Sequence, residues 1–367
     1  MHGGPQATLA TLRLTHWIVK GRYCVKDIIK KCLVCRRYSK RTCQQLMGFL
    51  PSDRTNPSKP FQVGYAGVDY AGPIKVRLSK CRGPGTLKGY IAIFVCFATH
   101  AIHIEIVEDY SGESFVAAFH RFTARRGHCT DLYSDQGTTF VGADSELKAL
   151  FEAIQNQSTK IYNDLRASNT NWHFNPPGAP HFGGLWEAAV KSAKYHLIRV
   201  IGEKVPTFVE LSTVLCRIEA ILNSRPLMAL TDDVNDLEIL TPAHFLISRP
   251  SFLVPEPDLT LEKIPLGNRC QLYSQMVQHF WDRWAGEYLT SLQERQKWFY
   301  PQKSLDVGDL VVIKDETCSP GKWPLAQITE VHPDSDKLVR AVTLRTATST
   351  LDRPAVKIIS LLSKDEL

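Results

Sequence analysis

Residues 63–73 read VGYAGVDYAGP, a run of apolar and small side chains with one acid, Asp69, near its centre. This composition predicts a strand over residues 63–76 that is interrupted at the Gly-Pro pair at 72–73. An acid inside an apolar strand is costly unless it is paired or bound to a cation. Taken alone, Asp69 is still explained as well or better by a turn cap.

Two further acids lie at the ends of predicted secondary-structure elements. Asp135 ends a predicted strand in DLYSDQGTTF (131–140), and Glu187 opens a predicted helix after GGLW (183–186). Each has a plain alternative, Asp135 as a turn former and Glu187 as a helix N-terminal acid. Hard divalent cations take oxygen ligands, and two of them about 3.5–4 Å apart can clamp the attacking and leaving oxygens of a phosphodiester exchange.

The pattern around these acids predicts an α/β or α+β layer fold, because strands come first and then alternate with helices. Runs 89–97 and 101–107 predict a hairpin, and Ser111 or Ser114 is a candidate cap for the helix that follows. The other predicted elements are a strand at 130–134, helices at 114–126, 145–154, 185–200, 208–223 and 273–298, and barrel-like strands at 307–313, 323–331, 339–344 and 356–361.

Composition narrows the class of protein. A chain of 367 residues predicts two or three domains, and 44% hydrophobic with 22% charged residues argues against a disordered or fibrous chain. No apolar run is long enough to cross a bilayer, no signal peptide is visible, and no membrane partner is expected. Residues 1–59 hold twelve Lys and Arg against two acids, a net +10, which leaves −3 of the total +7 for the remainder. Such a basic block fits a phosphate-bearing partner or a solvated surface equally well.

Three motifs carry a family resemblance. VDYAGP (68–73), SDQGTTF (134–140) and GGLWE (183–187) resemble the DDE catalytic core of retroviral and retrotransposon integrases. FNPPGAPHFGGLWEAAVKSAK (174–194) and AILNSRPL (220–227) are most similar to integrases of the BEL/Pao class of retrotransposons. The resemblance covers nearly the whole chain.

The resemblance implies an RNase H-like core, a mixed five-stranded sheet flanked by helices. It implies that Asp69, Asp135 and Glu187 are catalytic and hold two Mg²⁺ or Mn²⁺ ions. A metal-activated water would trim a DNA 3′ end, and the freed hydroxyl would attack target DNA. Implied partners are retroelement DNA ends, target DNA, further copies of the chain and a chromatin partner, and the implied location is the nucleus.

Two departures from the family pattern are visible. The second and third acids are separated by 51 residues, more than in retroviral members, which fits an insertion around 154–171. Gln136 and Thr139 stand where many members have Asn. Both residues keep a polar side chain, so neither by itself predicts lost activity.

The predicted helix after Glu187 carries two lysines on the same face. Lys191 and Lys194 follow the acid at i+4 and i+7, and a different face is apolar (Val190, Ala193, Leu197). An ordinary Glu–Lys helix pair would explain the spacing. Beside the three acids we favour contact with DNA phosphates, as the resemblance also implies.

The N-terminal block contains a candidate zinc site. Cys32 and Cys35 have the C-x-x-C spacing that lets two thiolates reach one tetrahedral ion, and the other cysteines are expected to be reduced thiols. His2, in HGGPQATL, resembles the start of the HHCC zinc domain of these integrases. The family pattern has another histidine upstream, so we expect an N-terminally truncated domain in which His2, Cys32 and Cys35 form an incomplete zinc site. His16 fits a core or surface role better.

The expected organisation is a helical zinc-binding domain at 1–48, an RNase H-like core at 60–228, a linker at 229–265, and a long helix with an SH3-like β-barrel at 266–362. The final KDEL matches an endoplasmic reticulum retrieval signal and is expected to be coincidental. Two other functions stay open: a catalytically silent DNA- or chromatin-binding relic of a retroelement, and a hydrolytic nuclease with the same metal site.

Overall fold

The computed structural model describes residues 4–32, 60–61, 65–78, 85–135, 139–145, 170–175, 184–202, 204–230, 238–265, 267–293, 305–315, 318–334 and 339–361. The chain divides into two compact units, Met1–Leu50 and Pro51–Leu367. Across the described ranges, no helix combines the length and apolarity that crossing a membrane requires.

The first unit contains two packed helices, α1 (Gly4–Arg13) and α2 (Gly21–Lys31). The apolar residues Leu9, Leu12, Ile18, Val25, Ile28 and Ile29 predict helix over residues 7–43, within the helical domain expected at 1–48. The structure instead breaks the helix between α1 and α2, where Lys20 takes a positive φ of 55° immediately before α2 begins. A left-handed residue cannot continue an α-helix, so α2 begins as a separate helix after Lys20. Residues 33–43 lie outside the described residues.

The second unit is built on a five-stranded sheet of order β3-β2-β1-β4-β5. The first three strands form an antiparallel meander, and the last two pair in parallel on the other side of β1. This mixed sheet confirms the expected α/β layer fold and the predicted hairpin. The strands are β1 (Tyr65–Arg77), β2 (Thr86–Cys96), β3 (Ile102–Val107), β4 (Asp131–Ser134) and β5 (Asn171–Phe174).

The predicted interruption of the first strand is a shift in register. The pairing of β1 with β2 shifts between Ala71 and Ile74. Gly72 has φ 146°, and a Cβ there would lie 2.9 Å from Cδ1 of Tyr90. Glycine is therefore required at this position both by its backbone conformation and by its close neighbour.

Helices cover both faces of the sheet. On one face, α3 (Gly112–Arg126) buries Phe115 and Phe122 against β1 and β2. Its N-cap is Ser111, whose hydroxyl accepts a hydrogen bond from the Ser114 N–H. On the other face lie α4 (Gly184–Ile201) and α5 (Phe208–Asn223). These three helices were predicted within a few residues of their ends.

A long helix, α7 (Arg269–Leu292), packs against α4 and α5. Its Phe280 and Trp284 belong to the same buried cluster as the second face of the sheet. Between α5 and α7 lie a short hairpin, β6 (Met228–Ala229) and β7 (Ile239–Leu240), and the helix α6 (Pro242–Ile247). The segment expected as a linker thus leads into a helix that completes the layer over the first sheet.

The C-terminal region forms a second five-stranded sheet, of order β11-β10-β9-β8-β12. Four of its strands fall in the runs predicted as barrel-like, and β11 was missed because its sequence, TLDRP, is polar and ends in proline. The expected β-rich C-terminal region is confirmed. The strands are β8 (Leu310–Ile313), β9 (Leu325–Pro333), β10 (Val339–Arg345), β11 (Thr350–Pro354) and β12 (Ile358–Ser360), with a 3₁₀ turn at Ala355–Lys357.

Candidate active site

Asp69 lies in β1, directly opposite Ile93 of β2. Directly opposed residues of an antiparallel pair project from the same face of the sheet. Ile93 belongs to the core beneath α4, α5 and α7, so Asp69 is on the face that α4 covers. Its side chain is half-buried, and its Oδ1 accepts a hydrogen bond from the Tyr70 N–H at 2.7 Å.

Asp135 follows β4, the parallel neighbour of β1. Tyr65 pairs with Asp131 and Gly67 with Tyr133, so 131 − 65 and 133 − 67 both give an offset of 66. The difference 135 − 69 is also 66, two residues beyond the last of these pairs. The same offset sets the backbones of Asp69 and Asp135 at the same level of the sheet. Neighbouring strands lie about 4.8 Å apart, so the two backbones are also close together. Asp135 is exposed.

Glu187 lies in the first turn of α4, the helix that packs against β1 and β2. Val190 and Ala193, further along this helix, are buried in the core shared with Ile93. The side chains of residues 184–189 lie outside the described part of the chain. For Glu187 the structure therefore describes the helix but not the side chain. The two aspartates are related to each other by the register of β1 and β4.

An aromatic contact on the opposite face of the sheet joins the residues next to the two aspartates. Sequence reasoning did not identify it. Tyr70 projects to the opposite face from Asp69 and stacks on Phe140 with ring centroids 5.1 Å apart. Thr139, beside Phe140, donates a hydrogen bond from its hydroxyl to the Tyr110 carbonyl. Burial raises the pKa of the Tyr70 hydroxyl, so this ring stays neutral. The signal was present in the sequence, since an aromatic residue follows each aspartate within five positions.

A second support holds the strand end at Asp135. Ser134 is fully buried, and its hydroxyl donates to the Asp135 carbonyl at 2.8 Å. The same hydroxyl accepts the indole N–H of Trp172 on β5 at 2.9 Å. The strand β5, which was not predicted, therefore fixes the residue before the acid. Its four residues are too few to show a reliable alternation of polar and apolar side chains.

The two lysines lie on α4 outside its buried stripe. Lys191 is exposed and Lys194 is half-buried, whereas Val190, Ala193 and Leu197 are buried as expected. Carboxylate oxygens are the donors that Mg²⁺ and Mn²⁺ take in proteins, so the acids fit such ions by chemistry. Across the described ranges no group of three or more His, Cys, Asp and Glu side chains is close enough to hold a metal ion, and the Glu187 side chain is outside those ranges.

The zinc candidates are only partly within the described residues. His2 and Cys35 fall outside them. Cys32 is half-buried at the end of α2, where its N–H bonds to the carbonyls of Ile28 and Ile29 at 3.1 and 3.2 Å. The zinc site therefore stays a prediction.

A mixed sheet covered by helices and a β-rich C-terminal region define an α/β protein, with one aspartate on β1 and a second directly after the parallel strand β4. Residues 268–361 match the model of a family of unknown function, DUF5641. No curated protein matches the sequence. Among solved structures the chain is similar to one in the cryo-EM structure of the simian T-cell lymphotropic virus intasome in complex with PP2A regulatory subunit B56 gamma. That similarity has 10% identity and a TM-score of 0.37, over 98% of this chain and 100% of that chain.

Proposed function

We propose that this chain is a DDE-type integrase of the BEL/Pao class, a metal-dependent polynucleotidyl transferase that joins retroelement DNA ends to target DNA. One observation carries the proposal: the shared offset of 66 residues that sets Asp69 level with Asp135 across β1 and β4. The helix that carries Glu187 packs against β1, the strand that carries Asp69. Three acids from a strand, a strand end and a helix start can converge only through the fold.

In this proposal the three carboxylates hold two Mg²⁺ or Mn²⁺ ions, which would lower the pKa of a bound water and offset charge on the phosphodiester. In the first step, water attacks a phosphorus near the DNA 3′ end. A P–O bond to the water oxygen forms, the bond from phosphorus to the 3′ oxygen breaks, and the proton lost by the water is balanced by protonation of the released 3′ oxygen to a hydroxyl. In the second step the freed 3′-hydroxyl attacks a target phosphodiester, the bond from that phosphorus to the target 3′ oxygen breaks, and the released target 3′ oxygen takes up a proton as the attacking hydroxyl loses one.

The residues around the acids have supporting roles. Lys191 and Lys194 contact phosphates of the bound DNA, since ammonium groups outside the buried stripe of α4 can neutralise the backbone. Tyr70 and Phe140 position the acids by holding β1 and the segment after Asp135 in one stack. Neither ring touches the reacting atoms, so both are positioning residues.

The wider organisation belongs to the same proposal. It comprises an RNase H-like core, a C-terminal SH3-like barrel, a zinc-binding N-terminal domain with His2, Cys32 and Cys35, a homo-oligomer, a possible chromatin partner and a nuclear location. The basic block at residues 1–59 and the two sheets of the second unit are the observations that favour it.

The test uses Asp69→Asn, Asp135→Asn and Glu187→Gln, which keep side-chain shape and remove charge. The purified variants are incubated with labelled duplex carrying the element's terminal-repeat ends, plasmid target, and Mg²⁺ or Mn²⁺. Each variant should lose end trimming and strand joining by at least about a hundredfold, because each removes a ligand charge. Glu113→Gln is the matched control, an exposed acid in the first turn of α3, and should keep full activity.

The products separate the alternatives. Trimming without joining would identify a hydrolytic nuclease, and DNA binding without either reaction would identify a silent relic. Near wild-type joining by any of the three variants would remove that acid from the site.

A further inference from the structure

A cleft of about 720 Å³ lies at the end of α4 farthest from Glu187. One wall is the last turn of α4 and the residues that follow it, which supply Arg199 and Lys204. The other wall is one face of α7, with Arg283 and His279. The ring of His279 donates to the Thr260 carbonyl at 3.0 Å, which holds it in place.

The cleft is cationic, because Arg199, Lys204 and Arg283 line it together with a single described acid. Arg199 hydrogen-bonds to the Tyr195 carbonyl at 2.9 Å, and its guanidinium lies 3.4 Å from the Tyr195 ring centroid. Within the ranges that the structure describes, neither Arg199 nor Lys204 nor Arg283 forms an ion pair with an acidic residue. Asp282 is the one acid among the described lining residues. Unpaired basic side chains that converge on a cleft create a positive potential that attracts anions.

Burial lowers the pKa of two titratable groups at or beside the cleft. Burial lowers the pKa of Lys204, so its ammonium group is partly desolvated. The pKa of His196, on the preceding turn of α4, is lowered chiefly by burial; the nearby carboxylate of Glu287 opposes this shift, and the positive charges of Arg283 and Arg199 add to it. A partly desolvated cation interacts more strongly with a phosphate than a fully hydrated one does.

We propose that the cleft formed by Arg199, Lys204 and Arg283 is a second DNA-binding site, which takes the phosphodiester backbone of duplex DNA. The inference rests on the proposed function and extends it by adding a contact remote from the acids. Along α4, Arg199 lies twelve residues after Glu187, about 18 Å at 1.5 Å per residue. That distance corresponds to about five base-pair steps at about 3.4 Å per step. One duplex that meets the acids at the start of α4 would therefore reach the cleft at its end.

The test measures binding of a 20-base-pair duplex of arbitrary sequence to the full chain by fluorescence anisotropy, with EDTA present, across a salt series. The double variant Arg199→Gln with Arg283→Gln keeps the side-chain stems and removes one charge from each wall. Its affinity should fall about tenfold, and the log–log salt slope should decrease by about two units. Asp282→Asn removes the acid and should shift affinity in the opposite direction, by about twofold to fivefold.

The control variant, Arg249→Gln with Arg353→Gln, removes two exposed charges away from the cleft and should change the slope by less than the cleft variant does. A second experiment uses inorganic tripolyphosphate as the ligand. It measures how tripolyphosphate changes the melting temperature of the wild-type chain and of the cleft variant. If the cleft variant loses the tripolyphosphate response but binds duplex normally, the cleft is a site for free polyphosphate and the DNA proposal is wrong. An unchanged slope in a folded cleft variant also overturns it.

EDTA removes the metal ions that the three acids would hold. Duplex binding in its presence therefore tests the cleft independently of the proposed catalytic function. A wild-type chain that binds duplex through the cleft but joins no ends would contradict only the catalytic proposal. A chain that joins ends while the cleft variant binds normally would contradict only the cleft.

Discussion

At the scale of single residues, the most constrained side chain is His103 on β3. Its ring is fully buried, with Nε2 3.0 Å from Glu105 and Nδ1 3.3 Å from Glu219. Arg121 and Arg125 pair with Glu105, and Arg126 pairs with Glu219 and also contacts the ring. Burial opposes charging of the ring, but the hydrogen bonds to the two carboxylates outweigh it and raise the pKa of His103.

This raised pKa predicts how stability depends on pH. A folded-state pKa above the unfolded value of about 6.5 contributes stability that is complete below that value and is lost as pH rises through the folded pKa. The wild-type free energy of unfolding should therefore fall between about pH 6 and pH 8.5. In His103→Gln the decline should be smaller. Urea denaturation at both pH values measures the difference.

His120→Gln is the matched control, since His120 is exposed on α3. It should leave the wild-type pH dependence in place. An identical pH dependence in wild type and His103→Gln would show that the ring does not change its charge on unfolding.

At the scale of elements, the motif AILNSRPL at 220–227 has a structural role. Asn223 at the end of α5 exchanges two hydrogen bonds of 2.8 Å with Ile102, and Glu219 accepts the Ile104 N–H. The strand β3 stands at the edge of its sheet, so side chains of α5 satisfy backbone groups that no further strand pairs. The buried guanidinium of Arg225 donates to the carbonyls of Leu222 and His100.

The start of α5 is fixed by a capping box between Thr207 and Glu210, and Arg269 of α7 pairs with the same acid at 2.7 Å. Burial alone would raise the pKa of Glu210, but its hydrogen bonds, first those of Arg269 and Thr207, lower it to about 2. Replacing Glu210 by Gln should reduce the free energy of unfolding at pH 7 by about 1–2 kcal/mol.

The pH series provides the check on this prediction. A lowered pKa contributes stability above the unfolded value, which is lost as pH falls through the folded value. The difference between wild type and Glu210→Gln should therefore shrink below about pH 4.5 and vanish near pH 2. Denaturation of Glu113→Gln, in the first turn of α3, should match wild type throughout. If the difference in free energy of unfolding between wild type and Glu210→Gln stayed constant with pH, the lost stability would come from packing rather than from charge.

At the scale of the whole second unit, Trp323 joins the C-terminal sheet to the helices over the first sheet. It lies in the turn between β8 and β9 and meets Trp281, Trp284 and Tyr288 at centroid distances of 4.7, 6.0 and 5.9 Å. Its indole N–H reaches the Ser224 hydroxyl at 3.3 Å. In the same turn Gly321 has φ 76°, which favours glycine, and a Cβ there would lie 2.8 Å from a methyl carbon of Leu253, so that side chain would have to shift.

Trp323→Ala should uncouple the C-terminal sheet from the first. The loss of a large aromatic from this contact costs about 2–4 kcal/mol. Hydrogen exchange should speed up in β8–β10 and α7 while β1 and β2 stay protected. Trp17→Ala is the control, because that tryptophan is 81% exposed. Equal acceleration in both sheets would mean that the second unit unfolds as one cooperative body with or without this contact.

The amino-acid sequence alone predicts the elements that have a strong local signal. The helices α3, α4 and α5 and the hairpin of β2 and β3 carry apolar periodicity over many residues, and Ser111 is a good N-cap. It also marked Asp69, Asp135 and Glu187, because an acid in an apolar or glycine-rich setting is unusual by composition alone. The short strands β5 and β11 escaped because four or five residues give no reliable period.

Which distant residues meet cannot be read from the sequence and depends on how the whole chain folds. The offset of 66 residues between β1 and β4, the stacking of Tyr70 on Phe140 and the cleft between α4 and α7 all join residues far apart in the chain. Local periodicity reports which face of an element is apolar, but not which element covers it. That choice depends on burying the apolar faces of all the elements together, so it is a property of the folded chain as a whole.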